Sequence, residues 1–163
     1  VAILVLVAVM AAGSSGGGGG GVTEPAAFDL PGIGGSGRLR LSDFAGRPLV
    51  VNFFASWCSA CDDELPGFAK VSMELKGRVS FAGVDSLETG DPLYMPRRHG
   101  ITWWPLARDI GGANRSGLHD ALGGGTGMPL TAFYDGSGRL LYVARGGLPE
   151  SSLRSKLAEL YGV

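Results

Sequence analysis

The stretch "NFFASWCSACDDELP", residues 52–66, carries both cysteines of the chain, Cys58 and Cys61, with two residues between them. It completes "RPLVVNFFAS" (47–56), a short continuous apolar run rich in Val and Phe, which suits a strand buried on both faces. From about Ser59 to Lys76 the period changes. Leu65, Phe68, Ser72 and Leu75 recur at helical spacing, and Gly77 supplies the stop. Both cysteines therefore fall where a buried strand hands over to a helix, with Cys58 at the helix N-terminus and Cys61 one turn further in. Pro66 lies inside that helix and predicts a kink.

Working outward, "RVSFAGVDS" (78–86) reads as a second buried strand. "DPLYMPRRHG" (91–100) reads as a short helix broken by Pro96, and "SGLHDALGGG" (116–125) as another short helix ending in a glycine loop. "PLTAFYD" (129–135) and "RLLYVARG" (139–146) flank a "GSG" turn and predict a hairpin. Pro149 opens a last helix whose apolar stripe is Leu153, Leu157, Leu160 and Tyr161. The order is strand, helix, strand, helix, hairpin, helix. Residues 23–37 are rich in Pro and Gly and read as an irregular lead-in. "GIGGSG" (32–37) fits the spacing of a dinucleotide-binding glycine motif, but no strand precedes it and no helix follows, so it reads as chance in a glycine-rich chain.

A chain of 163 residues with 45% hydrophobic residues can build one ordinary domain with a real core. Its formal net charge of −1 forces no basic surface, so nucleic acid and anionic lipid are poor first candidates as partners. The opening "VAILVLVAVMAA" is wholly apolar, yet as a helix it reaches only about 18 Å against a hydrocarbon core of about 30 Å. With the Gly/Ser run after it, it reads as a signal or anchor segment plus flexible linker (1–22), ahead of a single domain (23–163). Membrane contact is expected only through that segment. Export places the cysteines where a disulfide can persist.

Two cysteines at this spacing leave few chemistries. A structural zinc needs four ligands, and His99 and His119, the only histidines, lie far downstream and twenty residues apart. A purely structural disulfide closing so short a loop restrains little of the unfolded chain. Redox exchange uses the spacing directly. The N–H groups and dipole at a helix start favour a thiolate on an exposed Cys58, and a more buried Cys61 lies within reach to resolve a mixed disulfide.

At these residues the chain resembles the TlpA/ResA-like extracytoplasmic thiol-disulfide oxidoreductases of the thioredoxin-like family. The likeness starts near Ala26. It runs through "FDLPGIGGSGRLRLSDFAGRPLVVNFFASWC", "GVDS", "HGITWWPLARD" and "GMPLTAFYDGSGRLLYVARGG" in that family's order. It implies an α/β thioredoxin-like fold, a central mixed sheet flanked by helices, with an N-terminal hairpin extension. It also implies dithiol–disulfide exchange with exported proteins, with no organic cofactor or metal. A membrane thiol-electron donor is a candidate partner and cysteine pairs of apocytochrome c are among the candidate substrates, while the direction of electron flow, reduction or oxidative folding, stays open. Met128-Pro129 matches the family's cis-proline position, which helps hold the substrate peptide. Three features depart from the pattern: Phe54 where Trp is frequent, Ser59-Ala60 between the cysteines with no proline, and a longer glycine loop before Met128.

Of the neighbours, Glu64 shares a helix face with Cys61 and is the candidate proton carrier, as the resemblance also implies; the alternative is a solvated first-turn acid beside Asp62 and Asp63. Asn52 stands where cytoplasmic thioredoxins have a buried aspartate and cannot titrate; it reads as a core amide. Trp57 is a candidate to present the disulfide to partners. Trp103 and Trp104 read as packing residues, and His99 and His119 as surface residues. Three rival functions remain: a peroxiredoxin, although these usually carry Thr or Ser where Ala55 stands; a metal-binding module; and a thioredoxin fold used only for binding.

Overall fold

The computed structural model describes residues 27–109 and 117–163. The expected segment at 1–22 lies outside the described residues. β1 (Asp29–Pro31) and β2 (Arg38–Arg40) form a small antiparallel hairpin, the lead-in that the resemblance implied, followed by a 3-10 turn at Leu41–Phe44. Then come β3 (Leu49–Phe54), α1 (Ser59–Glu74), β4 (Ser80–Ser86), α2 (Tyr94–Arg98), β5 (Leu106–Asp109), α3 (Leu118–Ala121), β6 (Leu130–Tyr134), β7 (Leu140–Arg145) and α4 (Glu150–Tyr161).

The five long strands make one mixed sheet in the order β5-β4-β3-β6-β7. β3, β4 and β5 run parallel, while β6 and β7 are antiparallel to their neighbours. All six residues of β3 are buried, as a central strand covered on both faces requires. Alternation along it sorts the core. Val50 and Phe54 join Leu65, Phe68, Phe133, Leu153 and Leu157 in one cluster, whereas Leu49, Val51 and Phe53 join Leu118, Leu130 and Tyr134 in the other. Asn52 has the parity of Val50 and Phe54, so it faces the side that α1 covers.

α1 and α4 pack closely. A Cβ built on Gly67 would lie 2.9 Å from Glu150 Cβ, so a side chain there would push the helices apart. The Tyr161 hydroxyl, on the stripe expected for the last helix, donates to the carbonyls of Leu49 and Tyr134.

Three expectations need correction. The helix at 91–100 is not broken by Pro96. That residue is the third of α2, where a backbone N–H has no intrahelical acceptor to lose. β5 was not expected at all. Its "LARD" is four residues without a β-branched side chain, and it is specified by pairing to Gly83–Ser86 of β4. His119 is fully buried, and His99 is half-buried against Asp62. The tryptophans do pack: the indole N–H groups of Trp103 and Trp104 both donate to Ser72 Oγ, at 3.1 and 2.9 Å. α1 runs unbroken through Pro66.

Candidate active site

β3 ends at Phe54, and the chain reaches α1 through Ala55, Ser56 and Trp57. Cys58 is the N-cap of α1 and Cys61 sits in its first turn. The two sulfurs are bonded at 2.07 Å, with the Cα atoms 5.2 Å apart. The Cys61 N–H points at Cys58 Sγ, 3.1 Å away, so one of the free donors of the helix start is aimed at the first sulfur. Cys58 is 4% exposed and Cys61 fully buried. The expected order of exposure holds, but Cys58 is far less open than expected. It belongs to the apolar cluster of Leu65, Phe68 and Trp104, against which Met128 packs. Trp57 beside it is 49% exposed and donates its indole N–H to Leu87 O at 2.9 Å.

Glu64 is not a solvated first-turn acid. It is 4% exposed on the α1 face turned toward the sheet. Its Oε1 accepts from Asn52 Nδ2 at 2.7 Å, and its Oε2 from the Leu148 N–H at 2.6 Å. Asn52 Nδ2 also reaches Thr131 Oγ1, its antiparallel partner on β6, at 3.2 Å. Burial pushes the Glu64 pKa up to about 7, while the two hydrogen bonds partly offset this by favouring the anion. A small cavity lined by Ala60, Asp63, Glu64, Gly147, Leu148 and Pro149 opens beside the carboxyl. Asn52 is the core amide expected of it, and its partner is the group that titrates.

The other first-turn acids behave differently. Asp63 is exposed, and Asp62 accepts from Arg98 Nε at 2.6 Å and pairs with His99 Nε2 at 2.7 Å. The Arg98 hydrogen bond holds Asp62 below its usual range.

A second acid pair, not found in the sequence, lies under the redox loop. Glu88 accepts from Ser56 N at 2.7 Å and Ser56 Oγ at 2.6 Å, and also from the N–H groups of Thr89 and Gly90. Burial opposes its charge, but the Ser56 and Gly90 donors outweigh burial and hold it down at about 2. Asp85 is fully buried at the end of β4. Burial, then the neighbouring Glu88 carboxylate, push its pKa up to about 8, against the opposing charge of Arg108. Asp85 therefore keeps its proton at neutral pH and Glu88 carries the charge. The available signal was an acid inside the otherwise apolar "FAGVDS".

Met128 is half-buried and Pro129 buried, joined by the cis bond that the resemblance implied. Among the described residues no group of three His, Cys, Asp or Glu side chains is placed to hold a metal, and no helix is long and apolar enough to cross a membrane.

Comparison with known proteins agrees with this geometry. The pattern of the AhpC/TSA family matches residues 22–91. The thiol:disulfide interchange protein HelX of Rhodobacter capsulatus is 32% identical over 116 residues, 71% of this chain and 61% of HelX. The DsbE homolog of Paracoccus denitrificans is 33% identical over 127 residues, 74% of this chain and 66% of that protein. The chain thus spans just under two thirds of the length of these relatives. Among solved structures, an exposed lipoprotein thioredoxin of Streptococcus pneumoniae superposes with a TM-score of 0.66 at 27% identity, covering 82% of this chain and 99% of that one.

Proposed function

We propose that this chain, which belongs to the thioredoxin-like family, is a thiol-disulfide oxidoreductase that exchanges its Cys58–Cys61 pair with exported proteins. The observation that carries this reading is the redox pair at the start of α1, with the Cys61 N–H aimed at Cys58 Sγ and a buried carboxyl of pKa about 7 one turn further on. In the reducing direction the Cys58 thiolate attacks one sulfur of a substrate disulfide. That S–S bond breaks, a Cys58–substrate mixed disulfide forms, and the departing substrate sulfur takes up a proton. Cys61 then gives its proton to Glu64, and its thiolate attacks Cys58 Sγ. The second substrate sulfur leaves as a thiolate and takes up the proton that Glu64 holds, and the Cys58–Cys61 disulfide remains. Two electrons pass from the protein to the substrate, and the reverse sequence oxidises a dithiol.

The test is trapping. Reduced Cys61→Ser mixed with a peptide disulfide should accumulate a Cys58-linked adduct, whereas Cys58→Ser should form none. Absence of the Cys58 adduct would overturn the reading.

The substrate class we propose is exported cysteine pairs, including those that await haem attachment, with re-reduction by a membrane thiol donor. The names of the interchange relatives and the family likeness of the motif support it. Faster exchange with an apocytochrome c peptide disulfide than with a scrambled one would bear it out. Trp57, Met128 and Pro129 are the proposed substrate-binding edge. An extracytoplasmic site, reached or held through residues 1–22, completes the proposal. Removing residues 1–23 should leave the thermal midpoint of the domain unchanged, and a large loss would make the segment part of the core.

The AhpC/TSA match favours one second reading, a peroxide reductase. Ala55 offers no hydroxyl beside the cysteine, so peroxide consumption by the reduced protein should stay at the level of an ordinary thiol.

A further inference from the structure

We infer that His119 is a positioning residue for the proposed peptide-binding edge at Met128, setting how well the protein accepts peptide disulfides relative to small ones. The inference rests on the exchange activity proposed above and goes beyond it by naming a determinant of substrate class.

The segment joining α3 to Pro129 contains Gly123, Gly124, Gly125, Thr126, Gly127 and Met128. Four glycines in six residues make a fixed conformation entropically costly. Gly123, Gly125, Thr126 and Gly127 are exposed, so little side-chain packing restrains them. Arg145 holds the beginning, donating from Nε to Gly123 O at 2.9 Å and from Nη2 to Leu122 O at 2.7 Å. The end is held from beneath by His119, whose Nε2 lies 2.9 Å from Gly127 O. A carbonyl only accepts, so Nε2 carries the hydrogen and donates. His119 O also accepts from Gly124 N at 2.9 Å, and Gly127 N donates to Gly124 O at 3.0 Å. Gly124 packs directly against the imidazole. A Cβ on Gly124 would come within 2.3 to 2.5 Å of three ring atoms.

The ring is itself immobilised. It is fully buried, and its centroid lies 5.6 Å from that of Phe53 on β3. Its backbone N–H donates to Asp109 Oδ2 at 2.8 Å, tying α3 to the end of β5. His119 thus carries the rigidity of the central sheet to the residue immediately before Met128. Met128 in turn packs against the cluster that contains both cysteines.

What the histidine adds at this position is a donor to the loop, from Nε2 to Gly127 O. A peptide laid along Met128 depends on where that backbone sits, whereas a small disulfide needs only access to Cys58.

The test uses the reduced full chain with two oxidants, a ten-residue peptide holding one internal disulfide and bis(2-hydroxyethyl) disulfide. For His119→Phe, KM for the peptide should rise more than kcat falls. The peptide-to-small-disulfide ratio of kcat/KM should drop about tenfold, the effect of one lost hydrogen bond. His119→Gln, which keeps a donor, should recover most of the ratio. An unchanged ratio in His119→Phe would overturn the inference, as would equal slowing of both oxidants. If His119→Phe does not fold, Gly124→Ala disturbs the same contact from the loop side. It must lower the ratio likewise, and an unchanged ratio there counts against the inference equally. A wild-type protein inert toward both oxidants would overturn the exchange activity itself, and the role of His119 with it.

Discussion

Glu64→Gln isolates the buried carboxyl beside the redox pair, and its effect on stability has a sign fixed by the structure. An unperturbed glutamate titrates near 4.5, and burial raises Glu64 to about 7. Between those values the folded protein holds a proton that the unfolded chain has released. Stability therefore falls as pH rises from 4.5 to 7. Glu64 contributes nothing to the pH dependence below that window and imposes its whole penalty above it. At about 1.4 kcal/mol per pH unit, the loss across the window is about 3 kcal/mol. In urea unfolding of the oxidised protein this moves the midpoint by roughly 1 to 3 M. Asp85, raised to about 8, has the same sign and persists in the variant, so the wild-type curve minus the variant curve is the diagnostic. That difference should change by about 3 kcal/mol between pH 4.5 and 7 and be flat outside that window. A difference curve flat throughout would refute the reasoning: Glu64 would then titrate alike in both states. The same variant should slow resolution of the mixed disulfide by about 10²-fold and remove the acid limb of the pH–rate profile near 7.

The remaining predictions are local. Limiting alkylation of the reduced protein at mildly acid pH should label Cys58 about tenfold faster than Cys61, because the helix start favours its thiolate; equal labelling would remove the asymmetry. Asn52→Ala removes the 2.7 Å donor to Glu64 and should move the Glu64 midpoint above 7, read from the carboxyl carbon shift by NMR; a downward move would contradict the geometry. Gly67→Ala should destabilise the domain by about 1 to 3 kcal/mol in urea unfolding, since its Cβ would meet Glu150 Cβ at 2.9 Å; an unchanged midpoint would mean that α1 and α4 slide apart without penalty.

Features governed by local period were legible in the sequence. The continuous apolar run of β3, the helical spacing of Leu65 and Phe68, the glycine after α1 and the hairpin around "GSG" each reflect one strand or helix burying a face, and each element lies within a few residues of its expected bounds. Features governed by an edge or by a partner were not. β5 has four residues and is defined by β4 beside it. His119 looks like an exposed polar residue in a short, glycine-flanked helix, and only the strand behind it and the loop folded over it place it in the core.

Glu64 shows why the boundary falls there. Asp62, Asp63 and Glu64 are consecutive acids in one helix turn, and nothing local separates them. Helix geometry turns successive residues about 100° apart, so one of three must face the sheet. The same period that puts Leu65 and Phe68 inward puts Cys61 and Glu64 on their side. That much is readable. What is not readable is whether the inward acid finds partners. They are Asn52, 12 residues earlier, and the Leu148 N–H, 84 residues later. Those partners hold the buried carboxyl's pKa at about 7, because hydrogen bonds to the anion oppose the desolvation. With fewer donors it would stay protonated well above neutrality. With full solvent access it would be an ordinary acid with little power to accept a thiol proton. The proposed chemistry depends on that intermediate value, and the value depends on a strand amide and a loop N–H that the chain brings to one carboxylate only when it is folded.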